Sequence, residues 1–194
     1  MSFKNWQISA MQRAGIPEMF VEIISARLDN SEAFRAVSDD SLGVLVLSGQ
    51  PGCGKTVAAC HWLSIPIQRD DGERYSGTTL GTPLGLHHPL FVTAARLARW
   101  DRYDARQMDR LLLADRLVLD DLGSEYADAK GNFNAILDEL VSDRHANKRP
   151  MIMSTNLDAA AFKERYDERI ADRIREAGKF VSLGGTSMRR RKDP

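Results

Sequence analysis

Residues 49–56 read Gly-Gln-Pro-Gly-Cys-Gly-Lys-Thr, a complete phosphate-binding loop. The apolar run at residues 43–48 predicts a buried strand directly before the loop, and residues 55–64 predict a helix directly after it. A strand, a glycine turn and a helix N-terminus together aim several backbone N–H groups and a positive dipole end at one point. We therefore expect the chain to bind a nucleoside triphosphate. The alternative, a glycine-rich turn with an accidental lysine, does not account for the flanking strand and helix.

The residue types within the loop have distinct expected roles. Its glycines allow backbone conformations in which the amides wrap around phosphate oxygens. Lys55 is expected to place its ammonium on the β- and γ-phosphates, and the Thr56 hydroxyl is expected to ligate Mg²⁺. The candidate nucleotide contacts are Gly49, Pro51, Gly52, Cys53, Gly54, Lys55, Thr56 and Val57.

A second apolar stretch, residues 117–119 after Arg116, ends in the adjacent acids Asp120 and Asp121. Successive strand residues point to opposite faces, so both carboxylates can reach one site only at the end of the strand. We expect Asp120 to hold the Mg²⁺ shell and Asp121 to orient or deprotonate the attacking water. Glu125 is a second candidate for the latter role. The alternative interpretation is a solvated Asp-Asp turn after a core strand.

A third strand is predicted at residues 150–156, and it is apolar until Thr155 and Asn156 at its tip. In an open α/β sheet, ligands bind beyond the carboxyl ends of the strands. Three strands that end in a phosphate-binding loop, an acid pair and a Thr-Asn pair therefore converge on one crevice. In that crevice we expect Asn156 to sense the γ-phosphate, although a helix N-cap is the alternative for this residue alone.

The order of several motifs carries a family resemblance. They are Gly-x-x-Gly-x-Gly-Lys-Thr, Leu-Asp-Asp-Leu-Gly-x-Glu, Arg144 within Ser-Asp-Arg-His-Ala-Asn-Lys-Arg-Pro, Ser-Thr-Asn-Leu, and Glu-Arg-Ile-Ala-Asp-Arg-Ile. From residue 14 to residue 191 the chain resembles the DnaC/DnaI/IstB group of AAA+ ATPases. These are bacterial and phage replicative-helicase loaders and their transposition-helper relatives.

The resemblance implies a five-stranded parallel sheet flanked by helices, hydrolysis of ATP, ATP-dependent self-assembly and contact with single-stranded DNA. It makes Asn156 the sensor residue. It also matches Arg173 to the arginine finger, with Arg169 as the neighbouring basic candidate. A helix over residues 167–177 would place Ile170, Ile174 and Ala177 inward and these two arginines together on an adjoining face. The spacing alone also permits ordinary surface pairing with Glu168, Asp172 or Glu176.

Composition limits the classes of partner. The 194 residues carry 27 Lys and Arg against 27 Asp and Glu, so attraction to DNA must come from local patches. Two such patches are residues 189–192 and a predicted arginine stripe on a helix from 94 to 113, made of Arg96, Arg99, Arg102, Arg106 and Arg110. Aspartates interrupt the stripe, so a salt-bridged surface is the alternative.

The sequence shows no apolar stretch of membrane-spanning length and no signal peptide. Its two cysteines make no disulfide framework, which favours a reduced, cytoplasmic setting. The Cys and His spacing matches no structural zinc pattern.

The predicted organisation is a helical leader at residues 1–42 followed by an ATPase core at 43–194. Phe20, Ile23, Ile24 and Leu28 predict one helix face in the leader, and Phe133 to Val141 predict an amphipathic helix on the sheet. Residues 65–88 read as an insertion, and residues 178–183 as the last strand. The length leaves no room for a helical lid, so we expect closure over the nucleotide by a neighbouring subunit in a homo-oligomer.

Four functions are compatible with these motifs. The first is an ATPase that assembles on single-stranded DNA and delivers or remodels a replicative helicase. The second is a transposition helper that acts with a transposase on duplex DNA. The third is a small-molecule kinase. The adjacent acids argue against it, because they are suited to activation of a water. The fourth is a nucleotide-gated scaffold with little hydrolysis, because Asp121 occupies a position where many relatives have glutamate. The leader is shorter than the helicase-binding domain that loaders usually carry.

Overall fold

The predicted sheet is present as five parallel strands. The structure, a computed structural model, describes residues 3–26, 31–38, 43–69, 88–100, 104–125 and 132–184. Its strands are β1 (Val44–Gly49), β2 (Leu90–Thr93), β3 (Leu117–Leu122), β4 (Met151–Thr155) and β5 (Gly178–Leu183). They lie in the order β2-β3-β4-β1-β5, and each pairing is parallel. The expected five-stranded parallel sheet is confirmed.

Helices cover both faces of the sheet. They are α1 (Asn5–Arg13), α2 (Glu18–Ala26), α3 (Glu32–Val37), α4 (Lys55–Arg69), α5 (Ala94–Leu97), α6 (Ala105–Leu113), α7 (Asn132–Ala146), α8 (Ala159–Tyr166) and α9 (Glu168–Ala177). Alternate residues of β1 enter different apolar clusters: Val44 and Val46 pack with α5–α9, whereas Leu45 and Leu47 pack with α1–α4. Because β1 is buried on both faces, its sequence is apolar throughout rather than alternating.

Two helices follow their predicted faces closely. α7 buries the expected residues Phe133, Ile136, Leu137, Leu140 and Val141, and α9 buries Ile170, Ile174 and Ala177. In α2 the buried residues are Val21 and Ile24, whereas Ile23, which was expected to share the inward face, is 41% exposed. Leu28 lies outside the described residues. The inward face of α2 is thus rotated relative to the one predicted.

The continuous helix predicted from residue 94 to residue 113 is wrong. α5 ends at Leu97, and α6 begins at Ala105, where the Asp104 carboxylate accepts hydrogen bonds from the backbone N–H groups of Arg106 and Gln107. An aspartate that caps a new helix satisfies N–H groups that would otherwise lack partners, so it favours a fresh start over continuation. Arg96 and Arg106 consequently lie on different helices, and Arg102 falls outside the described residues. The predicted single arginine stripe is therefore not formed.

The helix after the loop is longer than predicted. α4 continues past Ser64 to Arg69 with Pro66 inside it, so the first residues of the expected insertion are helical. Residues 70–87, the rest of that insertion, lie outside the described ranges. A proline cannot donate to the carbonyl four residues before it, which here belongs to Trp62. The Arg116 guanidinium donates to that carbonyl at 2.7 Å, so the helix passes through the proline with this acceptor satisfied.

Candidate nucleotide-binding site

Lys55 begins α4 and is 7% exposed. Its ammonium donates to the carbonyl oxygens of Gly49 at 2.6 Å and Gln50 at 3.0 Å, and to Asn156 Oδ1 at 3.0 Å. These partners are all neutral, so the positive charge of Lys55 is held in place without being cancelled by a bonded carboxylate. An ammonium in this state is suited to bind the phosphates of a nucleotide.

The loop backbone takes conformations that favour glycine. Gly49, Gly52 and Gly54 have φ values of 156°, 89° and 93°. A Cβ on Gly49 would lie 2.8 Å from the Leu183 carbonyl oxygen and 3.1 Å from Cys53 Sγ, so a side chain there would meet both β5 and the loop itself. Pro51 is exposed, Cys53 is buried, and Val57 is partly buried on α4. The loop therefore has the close backbone approach that a phosphate cradle requires.

Thr56, at the start of α4, lies beside Asp120 of β3. The Thr56 hydroxyl donates to Asp120 Oδ1 at 2.9 Å, and Ser154 donates to the same oxygen at 2.5 Å. Burial raises the pKa of Asp120, the hydrogen bonds from Ser154 and Thr56 lower it in part, and the neighbouring Asp121 charge raises it again. A hydroxyl beside a buried carboxylate is the kind of oxygen donor set that Mg²⁺ prefers.

Such a site fits Mg²⁺ held jointly by the protein and a nucleotide. Within the described ranges, no group of three or more His, Cys, Asp or Glu side chains is arranged to hold a metal ion. Mg²⁺ is commonly bound through one or two carboxylates together with substrate phosphates rather than by an all-protein cage. Thr56 and Asp120 would supply the protein share of that arrangement.

Asp121 lies where β3 leaves its register with β4. The register shifts between Leu119 and Leu122, and Asp121 has a φ of 60°, in the left-handed region. An irregularity of this kind re-aims a side chain at the end of a strand. The Asp121 carboxylate consequently accepts a hydrogen bond from Asn156 Nδ2 at 3.3 Å. Because Asn156 also accepts from Lys55, the structure brings the loop, the acid pair and the tip of β4 together.

Ser154 is a member of this site that the sequence analysis missed. It is 1% exposed, and its hydroxyl donates to Asp120 while accepting from the Asp121 backbone N–H at 2.9 Å. It therefore ties both acids to β4. The available sequence signal was a serine directly after the apolar run Met-Ile-Met, because a buried hydroxyl requires a hydrogen-bond partner.

Glu125 is placed differently from the other predicted residues. It is 5% exposed, and both carboxylate oxygens are occupied. Oε2 accepts from the Gly123 N–H at 2.8 Å, and Oε1 accepts from Arg165 and Tyr166. The structure thus brings Glu125 into a buried cluster with α8. Its role as a water-orienting base remains a prediction from the sequence.

Arg169 and Arg173 lie on one face of α9 and meet Asp138 of α7. Arg173 Nε is 2.9 Å from Asp138 Oδ1, and Arg169 Nη2 is 3.3 Å from Asp138 Oδ2. Arg173 also donates to the Ser142 hydroxyl. Within this chain the two arginines therefore pair with the neighbouring helix α7. Their partner Asp138 lies on α7, whereas the spacing alone had permitted pairing with Glu168, Asp172 or Glu176.

Comparison with known proteins finds this fold among replication proteins. The DnaC helicase loader matches with a TM-score of 0.63 at 19% identity, over 86% of this chain and 99% of that one. DnaI matches with a TM-score of 0.64 at 17% identity, over 92% of this chain and 100% of that one. The replication initiator DnaA, solved with AMPPCP and single-stranded DNA, matches with a TM-score of 0.58 at 15% identity, over 80% of this chain and 47% of that one. No protein-family model and no curated protein sequence matches the chain.

The parallel sheet, with the glycine-rich loop that joins β1 to α4, has the DnaC/DnaI-type AAA+ fold. In the part of the chain that the structure describes, no helix is both long and apolar enough to cross a membrane.

Proposed function

We propose that this chain binds ATP with Mg²⁺ and hydrolyses it. The observation that carries the proposal is the hydrogen-bonded chain from Lys55 through Asn156 to Asp121, with Thr56 bonded to Asp120 beside it. These side chains come from three segments distant in sequence and meet at the carboxyl edge of the sheet. That edge is where α/β proteins of this type bind their ligands.

Each residue of the group has a chemical role. Lys55 binds the β- and γ-phosphates, Thr56 and Asp120 hold Mg²⁺, and Asp121 orients the attacking water. Bound Mg²⁺ would supply neutralisation of the phosphate charge. Asn156 contacts Lys55 at 3.0 Å and Asp121 at 3.3 Å, so it can respond to a γ-phosphate that displaces either contact.

The proposed biological role is that of a helicase loader, which assembles as a homo-oligomer on single-stranded DNA and acts on a replicative helicase. The support is the likeness of fold to the DnaC helicase loader and to a DnaA solved with single-stranded DNA. In the assembly, Arg173, with Arg169 beside it, would reach the nucleotide of a neighbouring subunit as an arginine finger. Both arginines lie on the same face of α9, as a shared role at a subunit boundary requires.

The test combines phosphate release with DNA binding. The wild-type chain should release phosphate from ATP only when Mg²⁺ is present. In ATP it should bind a single-stranded oligonucleotide more tightly than its duplex, as measured by fluorescence anisotropy. Affinity should fall steeply between 50 and 200 mM salt, as counterion release requires. A preference for duplex DNA would favour the transposition-helper alternative, and binding of ATP without turnover would favour the scaffold.

A further inference from the structure

Glu125 anchors a buried cluster beside the acid pair. The Tyr166 hydroxyl donates to Glu125 Oε1 at 2.6 Å, and Arg165 Nε donates to the same oxygen at 2.9 Å. Arg165 Nη2 also donates to the Glu125 backbone carbonyl at 2.6 Å. Burial raises the pKa of Tyr166 and the Glu125 carboxylate raises it further, so the hydroxyl remains a donor at neutral pH. The cluster therefore joins the segment after β3 to the end of α8.

The other carboxylate oxygen of Glu125 acts on the turn that follows the acid pair. Oε2 accepts from the Gly123 N–H, and Gly123 has a φ of 101°. A Cβ on Gly123 would lie 3.3 Å from the Leu157 side chain, so this turn packs closely against the segment after β4. Ser124 then donates from both its N–H and its hydroxyl to the Asp121 carbonyl, at 3.1 and 2.7 Å. Residues 121–125 thus form one hydrogen-bonded turn.

Asp121 needs such support because its backbone is strained. A residue other than glycine with a φ of 60° keeps that conformation only when its surroundings hold it there. Ser154 holds Asp121 at its N–H, and the turn holds it at its carbonyl. The Glu125 carboxylate closes that turn, and Tyr166 and Arg165 in turn fix the carboxylate.

We propose that Glu125, Tyr166 and Arg165 are positioning residues, which hold the turn at 121–125 so that Asp121 faces the γ-phosphate. This role rests on the proposed hydrolysis of ATP. Under this proposal Glu125 is not the base that the sequence suggested. Its role is indirect, because the carboxylate acts through the backbone of Gly123 and Ser124. α8 thereby becomes part of the support for the water-orienting residue.

The test variant is Tyr166→Phe in the full chain. It removes one hydrogen bond to Glu125 but keeps the ring, which packs against Phe162 at a centroid distance of 4.7 Å. Glu125→Gln is the second variant, since it places an NH₂ group where the carboxylate accepts from N–H donors. The matched control is Lys163→Gln, which removes an exposed ion pair between α8 and Glu168 of α9. Each protein is assayed for kcat, ATP affinity and the exchange rate of the Gly123 amide hydrogen.

We expect Tyr166→Phe to lower kcat about tenfold while ATP affinity changes less than about twofold, because only the orientation of Asp121 is altered. Exchange at the Gly123 amide should accelerate in Tyr166→Phe and in Glu125→Gln, and it should not change in Lys163→Gln. Combined with Asp121→Asn, Tyr166→Phe should cause no further loss in single-turnover hydrolysis.

Two negative results separate this role from the proposed function. If the wild-type chain turns over ATP and both cluster variants retain wild-type kcat, the positioning role is overturned while the proposed hydrolysis stands. If the wild-type chain shows no turnover, the proposed function fails and the positioning role fails with it. A Tyr166→Phe defect that persists undiminished in the Asp121→Asn background would also overturn action through Asp121.

Discussion

Arg116 donates a hydrogen bond of 2.7 Å to the carbonyl of Trp62, and its guanidinium lies 4.7 Å from the centroid of the Trp62 ring. The acceptor is the one that Pro66 leaves without its helical N–H partner. A residue that immediately precedes β3 therefore completes a helix that begins at the phosphate-binding loop. The residue directly before the strand with the acid pair thus satisfies a backbone acceptor of α4.

Arg116→Ala should lower the free energy of unfolding by about 1–3 kcal/mol, because it leaves a carbonyl oxygen of α4 without a partner. In a Pro66→Ala background the restored helical N–H can bond Trp62, so the cost of Arg116→Ala should be smaller by at least about 0.5 kcal/mol. Urea denaturation of the four proteins measures the coupling. Arg110→Ala, at an exposed position on α6, is the control and should change stability by less than about 0.5 kcal/mol. Equal losses in both backgrounds would contradict the compensation.

Lys55→Ala should weaken ATP binding at least about tenfold, because it removes the positive charge from the phosphate cradle. Asp121→Asn should instead keep ATP affinity within about twofold and lower turnover by about 10²–10⁴, the range for loss of a general base. Equilibrium binding and phosphate release distinguish the two effects, with Lys163→Ala as an exposed control. Wild-type turnover in Asp121→Asn would exclude Asp121 as the water-activating residue.

Asp120→Asn should stabilise the chain in the absence of nucleotide while abolishing Mg²⁺-dependent ATP binding. Burial raises the pKa of Asp120 in the folded state, so the folded chain holds this proton more tightly than the unfolded chain does. The contribution of Asp120 to the free energy of unfolding therefore falls as pH rises from the ordinary pKa of an aspartic acid, 3.8, through the raised pKa of the folded state. Above that pKa the amide should be more stable than wild type, by on the order of 1 kcal/mol.

Thermal unfolding at several pH values between 5 and 8 checks this prediction. The advantage of Asp120→Asn should shrink as pH falls towards the folded-state pKa, where the wild-type carboxyl is also neutral. Asp109→Asn, at an exposed position on α6, is the matched control. A less stable Asp120→Asn chain at pH 8 would show that the ionised carboxylate contributes more through Thr56 and Ser154 than it loses by burial.

Arg173→Ala should leave ATP binding by the monomer nearly intact and lower assembly-dependent hydrolysis by about 10³ or more, as expected for an arginine finger. Mixed with Lys55→Ala, it should recover activity above the sum of the two separate variants, because each supplies the half-site that the other lacks. Arg175→Ala, on the exposed side of α9, is the control. No recovery under conditions where wild type assembles would exclude action of Arg173 across subunits.

The parts of the fold that were predictable from sequence are those whose signals are local. The apolar run before Gly49 and the glycine pattern after it predict β1, the loop and the start of α4, since strand, turn and helix preferences act over a few residues. The convergence of Lys55, Asp120 and Asn156 was predictable because parallel strands present their carboxyl ends at one edge.

The remaining features depend on partners distant in the chain. Ser154 is polar in the sequence, but only the pairing of β4 with β3 reveals that it bonds both acids. Glu125 lies close to the acid pair in sequence, and nothing local indicates that Tyr166, 41 residues later, occupies its carboxylate. Asp138 is an ordinary acid of an amphipathic helix until α9 brings Arg169 and Arg173 beside it.

The position of β1 in the sheet has a consequence for synthesis on the ribosome. β1 is the first strand in the part of the chain that the structure describes, yet its neighbours are β4 and β5. Its ladder therefore joins it to residues 151–155 and 178–183. About 100 residues must be translated before the first of these strands exists, which takes on the order of 5–20 s at ordinary elongation rates. β1 therefore leaves the ribosome without either of its ladder partners, and the loop that follows it has no completed sheet beside it until β4 and β5 have emerged.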